Sequence, residues 1–232
     1  MFQVRHSDDR GAANHGWLQS RHSFSFAEYY DPRHMGWGNL RVINEDKVAA
    51  GKGFGAHPHR DMEIVSYVLS GALEHRDSMN NGTRIVPGDV QRMTAGTGVV
   101  HSEFNAAPET THFLQIWLLP SRSGLEPSYE QHHVSRDRKA HQMCLVASPE
   151  GAPGVLQLNA DARIYAGLLD AQDKIELEIN PECKGYLMVA RGSVAAAGYT
   201  LAQGDALMVS SESGVSLSDA RDAELIWFDL AP

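Results

Sequence analysis

Cysteine is scarce in this sequence, and long apolar runs are missing. The 232 residues include only Cys144 and Cys183, which are too few for a disulfide framework and make a reducing compartment the default. No apolar run approaches the roughly 20 residues that a membrane-spanning helix requires. The segment MFQVRHSDDR also has no apolar stretch typical of a secretory signal. We therefore expect a cytoplasmic protein without a membrane segment.

Positive charge is also in short supply. The chain has 20 Lys and Arg residues against 29 Asp and Glu residues, which gives a formal net charge of −9. A surface of this sign repels phosphate backbones, so the composition argues against nucleic-acid binding. Hydrophobic residues still make up 42% of the chain, which is enough to bury a core and excludes a disordered protein.

Long helical patterns are equally rare, and short runs of β-branched and aromatic residues take their place. Turn-forming Gly, Pro, Asn and Asp residues separate these runs, a pattern typical of an all-β barrel or sandwich. Helix is expected only in short connections, around Ala27–Tyr30 or in the polar junction at residues 130–142. The predicted strands are NLRVI (39–43), EIVSYVL (63–69), THFLQIWLL (111–119), GYLMVA (185–190), DALMV (205–209) and ELIWFDL (224–230).

The two halves of the chain repeat one order of features. A strand, a glycine turn, a Gly-Asp turn and a closing aromatic strand occur once around Gly71 and again around Gly192. Common turn chemistry could produce part of this match by chance. Three features in the same order nevertheless favour two copies of one barrel unit. We therefore predict two domains that pack together, residues 1–135 and residues 136–232.

Histidine is abundant, with 12 copies, and two pairs of donor residues stand at strand spacing. His57 and His59 form an H-x-H pair, and His101 and Glu103 form an H-x-E pair. Such a pair can arise by chance at a surface, but alternate residues of a strand share a face, so each pair directs two donors to one side. If both strands line one barrel interior, three imidazoles and one carboxylate converge. These donors suit Fe(II), Mn, Ni, Cu or Zn better than Ca or Mg.

The residues around these pairs resemble the pirin family of the cupin superfamily. The resemblance covers nearly the whole chain and is densest through position 120. It rests on the segments RGAANHGWL (10–18), HSFSFAEYYDP (22–32), RVINED (41–46), HPHRDMEIVSYVLSG (57–71) and MTAGTGVVHSEFN (93–105). The resemblance implies a bicupin of two jelly-roll-like β-barrels with few short helices. The N-terminal barrel would hold a metal, and the C-terminal barrel, which lacks the metal motif, would be a structural partner.

The same resemblance implies the ligand set. The ligands would be His57, His59, His101 and Glu103, and Fe(II) is the favoured ion, with Ni, Mn, Cu or Zn as alternatives. Many cupins take their carboxylate from the segment just after H-x-H, which here contains Glu63. Its distance from the following turn glycine departs from that pattern, so we favour Glu103. Glu63 is then expected near the site mouth, bonded to backbone or to an arginine.

Other notable residues have plainer interpretations. His75 and Asp77 alternate on a strand near a turn and are expected to form a solvated pair. His132 and His133 lie in the charged junction and are expected to be exposed. The aromatic run at residues 24–30 could wall a ligand pocket, but we interpret it as a buried strand of the core.

Some members of the resembled family are similar to quercetin 2,3-dioxygenases, which predicts an oxygenase. The substrate would be a small aromatic molecule such as a flavonol, cleaved with O₂ and with release of CO. Glu103 would serve both as a metal ligand and as the base that takes the proton of the substrate hydroxyl. The same four ligands could instead serve an iron-binding, redox-responsive regulatory module that binds a protein partner. A zinc isomerase or hydrolase is a third, weaker interpretation.

Overall fold

The computed structural model describes residues 1–231, and nearly all of its regular structure is β-strand. The predicted all-β fold of two packed barrels is confirmed. The described strands of the first half are β1 (Phe2–Arg5), β2 (Gly11–Asn14), β3 (Leu18–His22), β4 (Leu40–Val48), β5 (Gly53–His59), β6 (Glu63–Ser70), β7 (Leu73–Asp77), β8 (Gly82–Ile85), β9 (Asp89–Thr94), β10 (Val99–Phe104), β11 (Thr111–Leu118) and β12 (Ser128–His133). A short helix, α1 (Arg136–Lys139), occupies the polar junction.

The remaining strands belong to the second half. They are β13 (Met143–Ser148), β14 (Leu156–Gln157), β15 (Ala162–Leu169), β16 (Ile175–Glu178), β17 (Lys184–Ala196), β18 (Tyr199–Ala202), β19 (Ala206–Ser210) and β20 (Gly214–Leu230). Their main sheet runs in the order β1-β19-β17-β20-β15-β13-β14, with β16 paired to β20 and β18 paired to β17. The strand at Phe2–Arg5 therefore pairs antiparallel with β19, across the predicted domain boundary. The division at residue 135 itself stays a prediction.

The first barrel is built from two sheets that face each other. One sheet has the order β12-β9-β6-β11-β4-β3-β2, and the other has the order β5-β10-β7-β8. Side chains from both sheets pack in one apolar cluster, among them Val68 and Phe113 from the larger sheet and Leu73 and Ile85 from the smaller one. The alternation of apolar residues along each strand directs these side chains into the space between the sheets.

The two barrels share a buried interface. A single core cluster contains Phe24 and Tyr67 of the first half and Tyr186 and Phe228 of the second. The Tyr67 hydroxyl donates to Oε1 of Glu224 at 2.6 Å, so a polar contact also crosses between the barrels. The second barrel thus packs against the larger sheet of the first barrel.

Two expectations about the first barrel are wrong. Glu63 is fully buried and accepts a hydrogen bond from the backbone N–H of Asn159 at 3.0 Å. The expected bond to backbone is therefore present, but it joins the two halves of the chain, and Glu63 does not lie at a site mouth. The run at residues 24–30 is not a buried strand, nor does it contain a helix: it forms a tight turn closed by backbone bonds between Phe26 and Tyr29. The Ser25 hydroxyl donates to the carbonyl oxygen of Asp31, and the Ser25 backbone N–H donates to the carbonyl oxygen of His34. The N–H of Ser25 is therefore not available for pairing with a neighbouring strand.

Two further expectations concern location. No helix among the described residues has both the length and the apolar character needed to cross a membrane. Cys144 and Cys183 are both free thiols. The cytoplasmic location stays a prediction.

The repeated turn glycines occupy left-handed backbone in both halves. Gly71 has φ of 78° and Gly192 has φ of 68°, a region that costs other residues about 1 to 2 kcal/mol. At Gly192 an added Cβ would also lie 2.2 Å from the carbonyl oxygen of Arg221 on β20. Glycine is therefore needed there for the close approach of two strands as well as for the turn.

We predict that Gly192→Ala destabilises the protein more than Gly198→Ala does. Gly198 also has a positive φ, 82°, but an added Cβ there meets no atom within 4 Å, so it reports backbone strain alone. The overlap with β20 should add about 1 to 3 kcal/mol to the loss of unfolding free energy. Urea denaturation of both variants measures the difference, and equal losses would show that the strand approach is not the constraint.

Candidate metal centre

The strand β10 carries two of the predicted ligands on its inner face. His101 is 2% exposed and Glu103 is 3% exposed, whereas Val100 and Phe104 on the opposite face are about half exposed. This alternation follows from the two-residue period of a strand. The H-x-E pair therefore points into the barrel, where its side chains lose contact with water.

The neighbouring strand β5 brings the other two predicted ligands beside them. His57 lies opposite His101 in the antiparallel register, and His59 lies two residues further along the same strand. The ring centroids of His57, His59 and His101 are 4.5 to 4.9 Å apart. One ligand-type atom from each of these residues lies within 4.8 Å of the others, which is close enough to hold a single ion.

The hydrogen bonds of these histidines leave nitrogens available for a metal. His57 donates from Nδ1 to the carbonyl oxygen of Gly55 at 2.7 Å, so its Nε2 carries the lone pair. The Nε2 atom of His101 is buried and has no hydrogen-bond partner among residues 1–231. An unpaired polar atom in such a place costs free energy. A divalent transition metal would satisfy it, so the donor set fits such an ion.

Burial keeps two of the imidazoles neutral. Burial, together with the proximity of His57, lowers the pKa of His59 to about 4. Burial also lowers the pKa of His101 to about 2, and the neighbouring histidines add to the effect. Metals bind the neutral form of imidazole, so both side chains are in the ligating state at neutral pH.

Glu103 is held in a different environment from the histidines. Its carboxylate accepts hydrogen bonds from Nε2 of Gln115 at 3.1 and 3.2 Å, and Ser66 donates at 3.3 Å. Burial raises the pKa of Glu103 to about 7, despite the opposing effect of the bond from Gln115. A carboxylate oxygen of Glu103 lies close enough to His75 and His101 for the three to hold one ion. His101 thus belongs both to this group and to the cluster of His57, His59 and His101. A metal ion nearby would favour the ionised form.

A cavity of about 420 Å³ opens beside this cluster. His57, His59 and Glu103 all line it, and this size is typical of small-molecule sites. Its apolar wall includes Leu18, Phe26, Tyr29, Phe54 and Trp117. The aromatic run at residues 24–30 therefore contributes to a pocket wall and not to a buried strand of the core.

Four polar side chains line another part of the cavity: Ser20, His22, Asn44 and Asp46. None of them was predicted as a site residue from the sequence. Asp46 is buried, and its carboxylate accepts a hydrogen bond from the Ser20 hydroxyl. His22 and Asn44 are joined by a hydrogen bond of 2.8 Å on the same wall. Burial raises the pKa of Asp46 to about 7. Asn44 and Asp46 are two residues apart in the strand segment RVINED (41–46). This spacing alone could have predicted that their side chains lie on the same face of the strand.

The predicted solvated pair is wrong, because His75 and Asp77 have fully buried side chains. The ring of His75 lies 5.2 Å from that of His101, so β7 contributes to the centre. His133 is exposed, as expected, and bonds to Asp89. His132 is only half-buried beside Glu130, so the expectation of exposure holds in part. The buried pair was missed because spacing along a strand does not reveal which face is covered.

Comparisons with known proteins agree with this architecture. Residues 3–118 match the family model described as Pirin, and residues 145–230 match the model described as Quercetinase C-terminal cupin domain. A protein of Escherichia coli (strain K12) named Quercetin 2,3-dioxygenase is 42% identical over 233 residues, covering 100% of both chains. A Pirin-like protein of Caulobacter vibrioides is 40% identical over 232 residues, again with 100% coverage of both chains. The crystal structure of the bacterial pirin YhhW from Escherichia coli in complex with nickel(II) superimposes with a TM-score of 0.95, at 41% identity and 100% coverage of both chains.

We predict that His57→Ala and His101→Ala each lower the amount of bound metal at least about tenfold, because each removes an imidazole from the cluster. Metal analysis after dialysis of nickel-loaded protein measures the occupancy. His132→Ala is the control, since that histidine lies on β12, outside the three-histidine cluster. Full occupancy in both site variants would mean that the ion binds elsewhere.

We also predict that Glu103→Gln stabilises the metal-free protein at pH 8 and has a much smaller effect at pH 5. The pKa of Glu103 is about 7 in the folded chain and 4.5 when free, so stability is lost as the pH rises through this window. Gln resembles the protonated acid and removes a cost of up to roughly 3 kcal/mol at pH 8. Urea denaturation at both pH values tests this, and an equal change at the two would contradict the raised pKa.

Proposed function

The chain belongs to the pirin family, and from this we propose that it is a metal-dependent dioxygenase of the quercetinase type. The substrate would be a flavonol-like aromatic molecule, cleaved with one O₂ and with release of one CO. The observation that carries the proposal is the cavity beside His57, His59 and Glu103, which joins a transition-metal donor set to an aromatic wall.

The proposed ligands are His57, His59, His101 and Glu103. The unpartnered Nε2 of His101 and the neutral state of the imidazoles support this set. Fe(II) is the proposed native ion, and Ni, Mn, Cu or Zn would suit the same nitrogen and oxygen donors. A bound divalent metal would act as a Lewis acid and lower the pKa of a coordinated hydroxyl group.

Glu103 is the proposed base for the substrate hydroxyl. It lines the cavity, and a bound cation would favour its ionised form, which is the form that can accept a proton. The Gln115 side chain donates to both of its oxygens and so holds the carboxylate in place while the proton moves. Asp46 and Ser20 supply a second polar group for the rest of the substrate.

The apolar wall would orient the substrate rings and exclude water. Trp117 stands edge-on to both Phe26 and His59, with ring centroids 5.4 and 4.9 Å apart. Flat aromatic molecules pack well against such rings. This arrangement favours an oxygenase over the redox-responsive regulatory module, because a docking role would not require an apolar cavity at the metal. The cytoplasmic location and the absence of a nucleic-acid partner remain part of the proposal.

The test is an assay of iron-loaded protein with quercetin under controlled O₂. We expect O₂ uptake and CO release in equal amounts, and Glu103→Gln should lower kcat about 100-fold or more because the base is lost. His132→Gln serves as the control and should keep wild-type rates. If iron-loaded wild-type protein consumes no O₂, or if Glu103→Gln keeps the full rate, the proposed reaction is wrong.

A further inference from the structure

Strand β7 carries a third pair of polar residues on the inner face of the sheet β5-β10-β7-β8, which also carries the four proposed ligands. In the register of β7 and β10, His75 lies opposite Glu103, and Asp77 lies opposite His101. Both side chains of the pair are completely shielded from solvent. The small sheet therefore presents H-x-H, H-x-E and H-x-D on three adjacent strands, and the third pair has no assigned role.

Hydrogen bonds connect this pair to a proposed ligand. The Nδ1 atoms of His75 and His101 are 3.4 Å apart, and Nε2 of His75 is 3.1 Å from Oδ2 of Asp77. Asp77 is itself fixed by the turn that follows β7. Its Oδ1 accepts from the backbone N–H groups of Met79 and Asn81, at 2.9 and 3.0 Å.

The positions of the protons follow from this geometry. An ionised carboxylate only accepts, so Nε2 of His75 must be the protonated nitrogen that donates to Asp77. A neutral imidazole carries one N–H, which makes Nδ1 of His75 an acceptor. The facing Nδ1 of His101 must then carry the proton and donate to it. This leaves the lone pair of His101 on Nε2, the atom that is buried without a partner in the described chain.

We propose that Asp77 and His75 are positioning residues that set the tautomer of His101, so that its Nε2 is ready to bind the metal. Ligating histidines are generally oriented by a carboxylate or a carbonyl group at their second nitrogen. Here an additional imidazole stands between the carboxylate and the ligand. The inference rests on the proposed metal site but not on the proposed reaction.

The structure also argues against His75 as a ligand in its own right. His75, His101 and Glu103 lie close enough together to hold an ion. Both ring nitrogens of His75 are already engaged, however, one with His101 and the other with Asp77. Its ring also packs against Tyr129, with centroids 5.0 Å apart, which restrains it from turning toward a metal.

The first test uses metal-free wild-type protein with ¹⁵N-labelled histidine. Ring-nitrogen chemical shifts report directly which nitrogen carries the proton. We expect the Nδ1–H form for His101 and the Nε2–H form for His75 at neutral pH. The opposite tautomer at His101, or a proton on both nitrogens of His75, would overturn the proposal without the need for any variant.

The second test compares Asp77→Asn with Arg76→Gln, an exposed residue between the pair. The Asn oxygen can keep the two backbone bonds of the turn, while its amide N–H₂ would donate to Nε2 of His75 and reverse both tautomers. The Asn81 side-chain amide, which donates to Oδ2 of Asp77 at 2.8 Å, would then have to present its oxygen to the new N–H₂ group. We expect about 10- to 100-fold weaker Ni²⁺ binding and an Nε2–H form of His101 in Asp77→Asn, with wild-type behaviour in Arg76→Gln. Unchanged affinity and tautomer in Asp77→Asn would overturn the proposal.

A third measurement separates positioning from ligation. X-ray absorption of nickel-loaded His75→Phe should show the same number of imidazole ligands as wild type, because His75 is not a ligand. One imidazole fewer in that variant would make His75 a ligand and overturn the proposal. A wild-type protein that binds no Ni²⁺ would contradict the proposed metal site instead, while the ring-nitrogen shifts would still decide the tautomer.

Discussion

The pairing of β10 with β5 on one side and β7 on the other is the constraint on which the centre depends. Backbone hydrogen bonds in these two ladders bring together side chains from segments far apart in the chain. Because side chains alternate along each strand, a slip of one residue would turn a whole pair of donors away from the cavity. An added Cβ at Gly53 would lie 2.2 Å from the carbonyl oxygen of Glu103, so glycine permits the close approach of β5 to β10 just beyond the point where their register shifts.

Burial between the two sheets sets the charge of the site as well as its shape. Removal of water disfavours the charged form of every group, so it lowers the pKa of His59 and His101 and raises that of Glu103 and Asp46. The metal-free interior therefore carries little net charge, because the imidazoles are neutral and the pKa values of the carboxyl groups are raised toward neutral pH. A cation in the cluster would favour release of the proton from Glu103, which couples metal binding to proton release.

The sequence predicted the parts of this centre that depend on local periodicity. His57 and His59, like His101 and Glu103, share a face because of the two-residue strand period, and the resemblance to a family indicated which strands meet. His75 and Asp77 have the same spacing but were interpreted as solvated. Spacing shows that two side chains share a face, and only non-local pairing with β10 decides that this face is buried. The turn at residues 24–30 was missed for a related reason, since its aromatic residues suit either a strand or a pocket wall.

The pairing of Phe2–Arg5 with β19 has a consequence for synthesis of the chain. These residues leave the ribosome ahead of the whole first barrel, yet their partner strand lies at positions 206–210. The segment Phe2–Arg5 stays unpaired until residues 206–210 have also been synthesised, and contacts of such long sequence separation form slowly. Once made, the ladder covers the outer edge of β19, and β1, which is only four residues long, becomes the edge of the sheet. The sheet of the second barrel is therefore complete only when this contact of long sequence separation has formed.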